Sequence, residues 1–255
     1  MNKKQQEEQR NQEDLALKHG MLWLAGAVVL EALLFLLNRY AINFDGTAQG
    51  ATLAESLRTV LKVLRVVGAA ALVGGAALGV IRMKRDTKAL WAGVASAVGA
   101  VVLLCAHVAI KYQGNGLRML YLLVPVLGGL ALAGHIYPRD FLLGALPSVA
   151  AVLGLWFYRV SGAGVEFVVM VLAAVIGLAG VLLLKKNDGA VKLGGKQLRL
   201  IPGQSDYVMP LISGVAAVAV QVLAVAAGST VAYYLIFAMG AWLFALLVYY
   251  TVKLL

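Results

Sequence analysis

Eight runs of about twenty mainly apolar residues pass through this chain, at roughly 21–38, 60–81, 89–110, 119–136, 141–158, 163–184, 208–227 and 231–251. A helix of that length, rising about 1.5 Å per residue, matches the roughly 30 Å hydrocarbon core of a bilayer. Inside lipid every backbone N–H and C=O must find its partner within the protein, which leaves helices and closed barrels as spanning structures. Runs this long belong to helices. They predict an all-α integral membrane protein, a polytopic bundle of about eight transmembrane helices. Composition agrees: 62% of the 255 residues are hydrophobic and 13% charged, too few charges to cover a water-soluble domain of this size.

The runs use up most of the length. The expected organisation is a polar cytoplasmic N-terminal segment over 1–20 and one transmembrane domain over 21–255, with a basic cytoplasmic loop at 185–207. Only Tyr137-Pro138-Arg139-Asp140 separates the fourth and fifth runs; about forty continuous residues would exceed any bilayer, and Pro138 forces a break. The outer loop 39–57 is expected to end in a short helix with Thr52 as N-cap and Glu55 as its capping-box partner. In the loop 185–207, the strand-like runs AVKL and KQLR around Gly194-Gly195 predict a small β-hairpin between the sixth and seventh spans. The first four spans do not align with the last four, so no transporter architecture of opposed halves is expected.

A net charge of +10 would suggest nucleic acid in a soluble protein, but here the position of the bases decides its meaning. Lys and Arg are retained on the cytoplasmic side of short loops. With the N-terminus inside, fifteen of the 22 Lys and Arg fall on inner segments, so both termini are expected to be cytoplasmic and no nucleic-acid partner is expected. Aromatic residues mark both interfaces, with Trp23, Trp91 and Tyr249 at inner ends and Tyr40, Tyr112 and Tyr233 at outer ones. No short apolar segment with a cleavage site precedes the first run, and the loops are short, which points to a prokaryotic plasma membrane. Lys185, Lys186, Lys192, Lys196 and Arg199 would face acidic phospholipid headgroups or a cytoplasmic protein partner; topology-setting charge on an ordinary loop is the plainer reading of the same residues.

Ionisable residues inside lipid are the strongest functional pointers such a chain offers, since each costs several kcal/mol unless paired or wetted. Glu31 lies within the first run, and Arg58, Lys62 and Arg65 share one helical face at the start of the second. Counted from the outer interface, Glu31 and Arg65 lie at similar depth, about 10–12 Å, so a pair between Glu31 and Arg65 or Lys62 is expected. Glu31, Lys62 and Arg65 then form either an outward-facing polar site for an anionic group or a neutral structural pair. Glu166 reads as an interfacial carboxylate, Gln221 as a cross-helix hydrogen-bonding residue, and Gly75-Ala-Ala-Leu-Gly79 with Ala71 as a small face for close helix approach. Pro125 with Gly128-Gly129, and Pro147-Ser148, could interrupt the fourth and fifth spans.

The lone Cys105 and three His, at scattered depths, do not make a metal site, and no cofactor is expected. The chain holds no GxxxxGK[ST], HExxH or GxSxG motif, so enzyme activity is not expected. Two readings follow: a transport-related protein, either a secondary carrier or the membrane subunit of a transporter, with its outward polar site at Glu31, Lys62 and Arg65; or a non-catalytic scaffold that docks a cytoplasmic partner or acidic lipid.

Overall fold

The computed structural model describes residues 3–43, 46–84, 90–187, 189–193, 196–199 and 207–254. In chain order these form α1 (Lys3–Leu37), a π-helical turn (Asn38–Ile42), α2 (Ala48–Lys84), α3 (Leu90–Ile136), α4 (Arg139–Ser161), α5 (Val165–Lys186), β1 (Ala190–Leu193), β2 (Lys196–Arg199), α6 (Val208–Ala227) and α7 (Ser229–Leu254). All seven α-helices contain stretches long and apolar enough to cross a membrane. The expected count was eight. The difference lies in the third and fourth runs, which join in α3 because the connecting residues KYQGNGLR stay helical on both sides of a single non-helical residue, Gln113. β1 and β2 pair antiparallel, with Leu193 opposite Lys196 and Ala190 opposite Arg199, while the Gly194-Gly195 turn lies outside the described residues.

The chain divides into two compact units, Met21–Ala131 and Leu132–Leu255 together with Met1–Gly20. In the Met21–Ala131 unit, α2 and the first limb of α3 pack antiparallel through glycine. A Cβ on Gly75 would stand 2.7 Å from the Ser96 amide nitrogen, and one on Gly99 2.6 Å from that of Leu72. The small face expected around Gly75 therefore meets the first limb of α3, with Ala71 against Gly99. The Ser96 hydroxyl donates to the Leu72 carbonyl at 3.1 Å across this seam, as close backbone approach permits. The second limb of α3 runs antiparallel to α1: the Tyr121 hydroxyl donates to the Leu34 carbonyl at 3.2 Å, and Gly128 lies against Ala27.

Gln113 sits between the two limbs with φ 45° and ψ −123°. A Cβ on Gly116 would meet the Val108 carbonyl oxygen at 2.5 Å. Eight residues along a continuous helix are about 12 Å apart, so the chain doubles back here.

The helix expected at the end of the 39–57 loop instead begins α2 itself. Its cap is Thr47 rather than Thr52: the Thr47 hydroxyl accepts the Gly50 amide at 3.1 Å, while Thr52 lies inside the helix and donates to the Gln49 carbonyl at 2.8 Å. An N-cap oxygen bonds the amide three residues on, and only Thr47 stands at that spacing from a free amide.

In the second unit α4 is central, packing on α5, α6 and α7. Its Gly144, Ser148, Ala151 and Leu155 recur at steps of four and three, the spacing of one buried stripe. Contacts alternate in direction. Gly144 and Gly154 meet Ser213 and Gln221 of α6, so those helices run parallel, whereas Pro147 and Gly154 meet Gly177 and Met170 of α5 in antiparallel order. Tyr137, just before α4, shares a 2.7 Å hydrogen bond with Thr251 near the end of α7, and the Arg159 guanidinium lies 4.3 Å over the Tyr233 ring at the other end. The four helices thus go up, down, up, down. α4 stays continuous through Pro147, against which Gly177 closes, and α3 through Pro125, so neither proline opens its helix.

Candidate functional site

Three local irregularities of the first unit meet at one end. α1 runs into the π-helical turn, where the Asn43 amide donates to the Asn38 carbonyl at 3.0 Å and the Asn43 side-chain amide to the Asn38 side-chain oxygen at 3.1 Å. The extra residue per turn widens the helix and carries Ala41 inward, 2% exposed. α2 starts early at its Thr47 cap, so Arg58 and Lys62, one turn apart, lie on a face already helical. Gln113 supplies the third irregularity. Together they enclose a recess of about 190 Å³, walled by Leu37, Ala41 and Ile42 of the turn, Arg58, Leu61 and Lys62 of α2, and Ala109, Ile110 and Gln113 of α3. A more open groove of about 400 Å³ adjoins it, lined by Glu55, Thr59 and the same Arg58 and Lys62.

No acidic residue lines the recess. Among the described residues, neither Arg58 nor Lys62 forms an ion pair. Two cations stand at the mouth of a partly apolar hollow, and the Glu55 carboxylate of the adjoining groove pairs with neither of them.

The expected site residues separate. Lys62 lies in the recess, with Arg58, which the sequence reading left as part of the ladder. Arg65 is exposed one turn further along α2 and lines neither hollow. Glu31 lies on α1, its Oε2 buried without a hydrogen-bond partner. The expected pair of Glu31 with Lys62 or Arg65 is not formed among the described residues. The physical reason is the fold of α3. Equal depth along two helices does not make two side chains meet: along their length α1 packs on the second limb of α3 and α2 on the first, and α1 and α2 approach each other where the π-helical turn meets the recess. Gln113 was missed as a site residue, although its setting in Gln113-Gly114-Asn115-Gly116 carries a turn signal.

Elsewhere, Gln221 is fully buried, yet it bonds within its own helix, donating to the Ala217 carbonyl at 3.2 Å instead of across helices. Its Oε1 rests against Gly154 of α4 without a hydrogen-bond partner, since a glycine Cα offers none. The Trp242 indole donates to the Ser213 hydroxyl at 3.1 Å, a cross-helix bond between α7 and α6. Glu166 stands in the first turn of α5, and no group of three His, Cys, Asp or Glu gathers among the described residues. Lys185 and Lys186 are exposed at the end of α5; the side chains of Lys192, Lys196 and Arg199 lie outside the described residues. In comparisons with known proteins, the chain matches no protein family, no curated protein and no solved structure.

Proposed function

We propose that this is a polytopic membrane protein of transport-related function, a secondary carrier or the membrane subunit of a transporter, whose outward-facing polar site is the recess at Arg58, Lys62 and Gln113. The observation that carries the reading is the pair of cations, neither of them in an ion pair, at a hollow walled by two backbone irregularities. Arg58 and Lys62 are exposed and present two positive charges one turn apart at the opening of a partly apolar hollow, so an anionic group is their natural complement. Arg65, one turn deeper on α2, extends the same basic face, and Glu31 supplies a separate deeper polar position on α1.

In this reading α3 crosses the bilayer twice, giving eight crossings with both termini cytoplasmic; the return of Gly116 onto Val108 supports the double crossing. The proportion of basic residues on inner segments supports this orientation, in which the recess belongs to the outer face.

The test is accessibility. In a chain with Cys105 replaced by Ala, single cysteines at positions 62, 65 and 31 are treated from outside with a membrane-impermeant maleimide. Position 62 is expected to react within minutes, and a reconstituted vesicle assay of anion flux is expected to lose signal when it does. Protection at all three positions ends the case for an outward site.

A second reading rests on the exposed Lys185 and Lys186 beside the β1–β2 pair: a scaffold surface for a cytoplasmic partner or acidic lipid. Neutralising Lys185, Lys186, Lys192, Lys196 and Arg199 together is expected to abolish co-purification or lipid retention if that reading holds, with flux unaffected.

A further inference from the structure

We infer that the Arg58–Lys62 recess binds the phosphate headgroup of an anionic amphiphile, with the aliphatic chain leaving along the apolar wall. This deepens the reading above and rests on it for the placement of the recess at a membrane face.

The lining is two-sided. Arg58 and Lys62 offer two cationic donors and Gln113 an amide whose NH2 can add a third, while Leu37, Leu61 and Ile110 offer hydrocarbon. A free inorganic anion would gain nothing from that apolar half, and a neutral lipid nothing from the cations. Arg presents a planar fork and Lys a mobile point charge, a combination suited to the several oxygens of one phosphate.

Size narrows the occupant further. Pockets that enclose whole drug-sized ligands run from about 300 to 1,000 Å³. The recess, at about 190 Å³, is too small for a nucleotide or an entire lipid but takes a headgroup, with the adjoining open groove as its approach. The backbone points to the same place. A π-helical turn and a residue with φ 45° each cost free energy and persist where the surroundings hold them, and departures of this kind cluster at binding sites. Both lie in the wall of this one hollow.

The test uses the full chain in nanodiscs of zwitterionic lipid and radiolabelled dodecyl phosphate. Saturable binding of one molecule per chain is expected, with affinity lowered at least tenfold in R58Q/K62Q and less than twofold in Arg39→Gln, which removes an exposed cation from the same end without touching the recess. Lys62→Arg is expected to retain binding, which separates loss of charge from loss of fold. Inorganic phosphate competing as well as unlabelled dodecyl phosphate would assign the site to a free anion and overturn the inference. Equal competition by dodecyl maltoside, or binding unchanged in R58Q/K62Q, overturns it too. Position 62 reactive from outside with no dodecyl phosphate bound sinks this inference alone; binding with position 62 protected sinks the outward placement instead.

Discussion

Glycine at position 75 and glycine at position 74 differ by one residue and by everything that surrounds them. Gly75 faces the backbone of α3 at closest approach, whereas a Cβ on Gly74 would meet nothing within 4 Å. Gly75→Leu must separate two backbones and is expected to lower stability by about 2 kcal/mol or more, read as a lower melting temperature in detergent. Gly74→Ala is expected to be neutral or slightly stabilising, because alanine is the better helix former. Equal effects at both positions would refute the seam.

Glu31 offers the opposite kind of test. An intramembrane carboxylate whose Oε2 lacks a partner is a burden of order 2 kcal/mol. Glu31→Gln is therefore expected to preserve or raise the amount of folded protein in membranes. The exchanged pair Glu31→Arg with Arg65→Glu is expected to show no mutual rescue; rescue would mean that the two side chains pair in the membrane after all.

At the scale of elements, the informative ones are the π-helical turn and the break in α3. Neither follows from hydropathy, which sees only that residues 38–42 and 111–118 are less apolar than their neighbours. Gln113 carries a positive φ that glycine adopts without strain. Gln113→Gly is expected to stabilise the fold by about 1 kcal/mol, while a β-branched Gln113→Val is expected to destabilise it by a similar amount or more, both read from denaturation midpoints. Because Gln113 also lines the recess, the glycine variant is expected to be more stable yet to bind dodecyl phosphate less well. α2 shows how a helix can be longer than its apolar run: its cap at Thr47 adds more than two turns before the expected start at residue 60, and those turns hold Arg58.

At the scale of the whole molecule, the proposed double crossing by α3 fixes on which side each later end would fall. α4 to α7 run up, down, up, down, so Tyr137 and Thr251 share one end. With α3 doubled back at Gln113, its second limb ends where α4 begins. On the proposed eight crossings, a cysteine at position 113 is expected to react only from one face of the membrane and a cysteine at position 253 only from the other. A single crossing by α3 would instead bury position 113 at mid-bilayer, unreactive from both faces.

That the chain is built of long apolar helices, the break before α4 at Pro138 and the close helix approach around Gly75 were legible in the sequence, because lipid selects apolar runs of fixed length and because proline and glycine act on the backbone locally; their number was not, since the third and fourth of the eight expected runs join in α3. The ladder Arg58, Lys62, Arg65 was legible for the same reason: helical spacing alone puts charges on one face. Which partner each helix chose was not. Glu31 and Arg65 count to matching depth along the sequence, yet α1 packs on one limb of α3 and α2 on the other, leaving the acid without its base and Arg58 and Lys62 with a hollow in front of them. Depth in a membrane is a one-dimensional quantity that a sequence can be counted along; neighbourhood is set by packing among residues far apart in the chain, and the tertiary structure alone decided it.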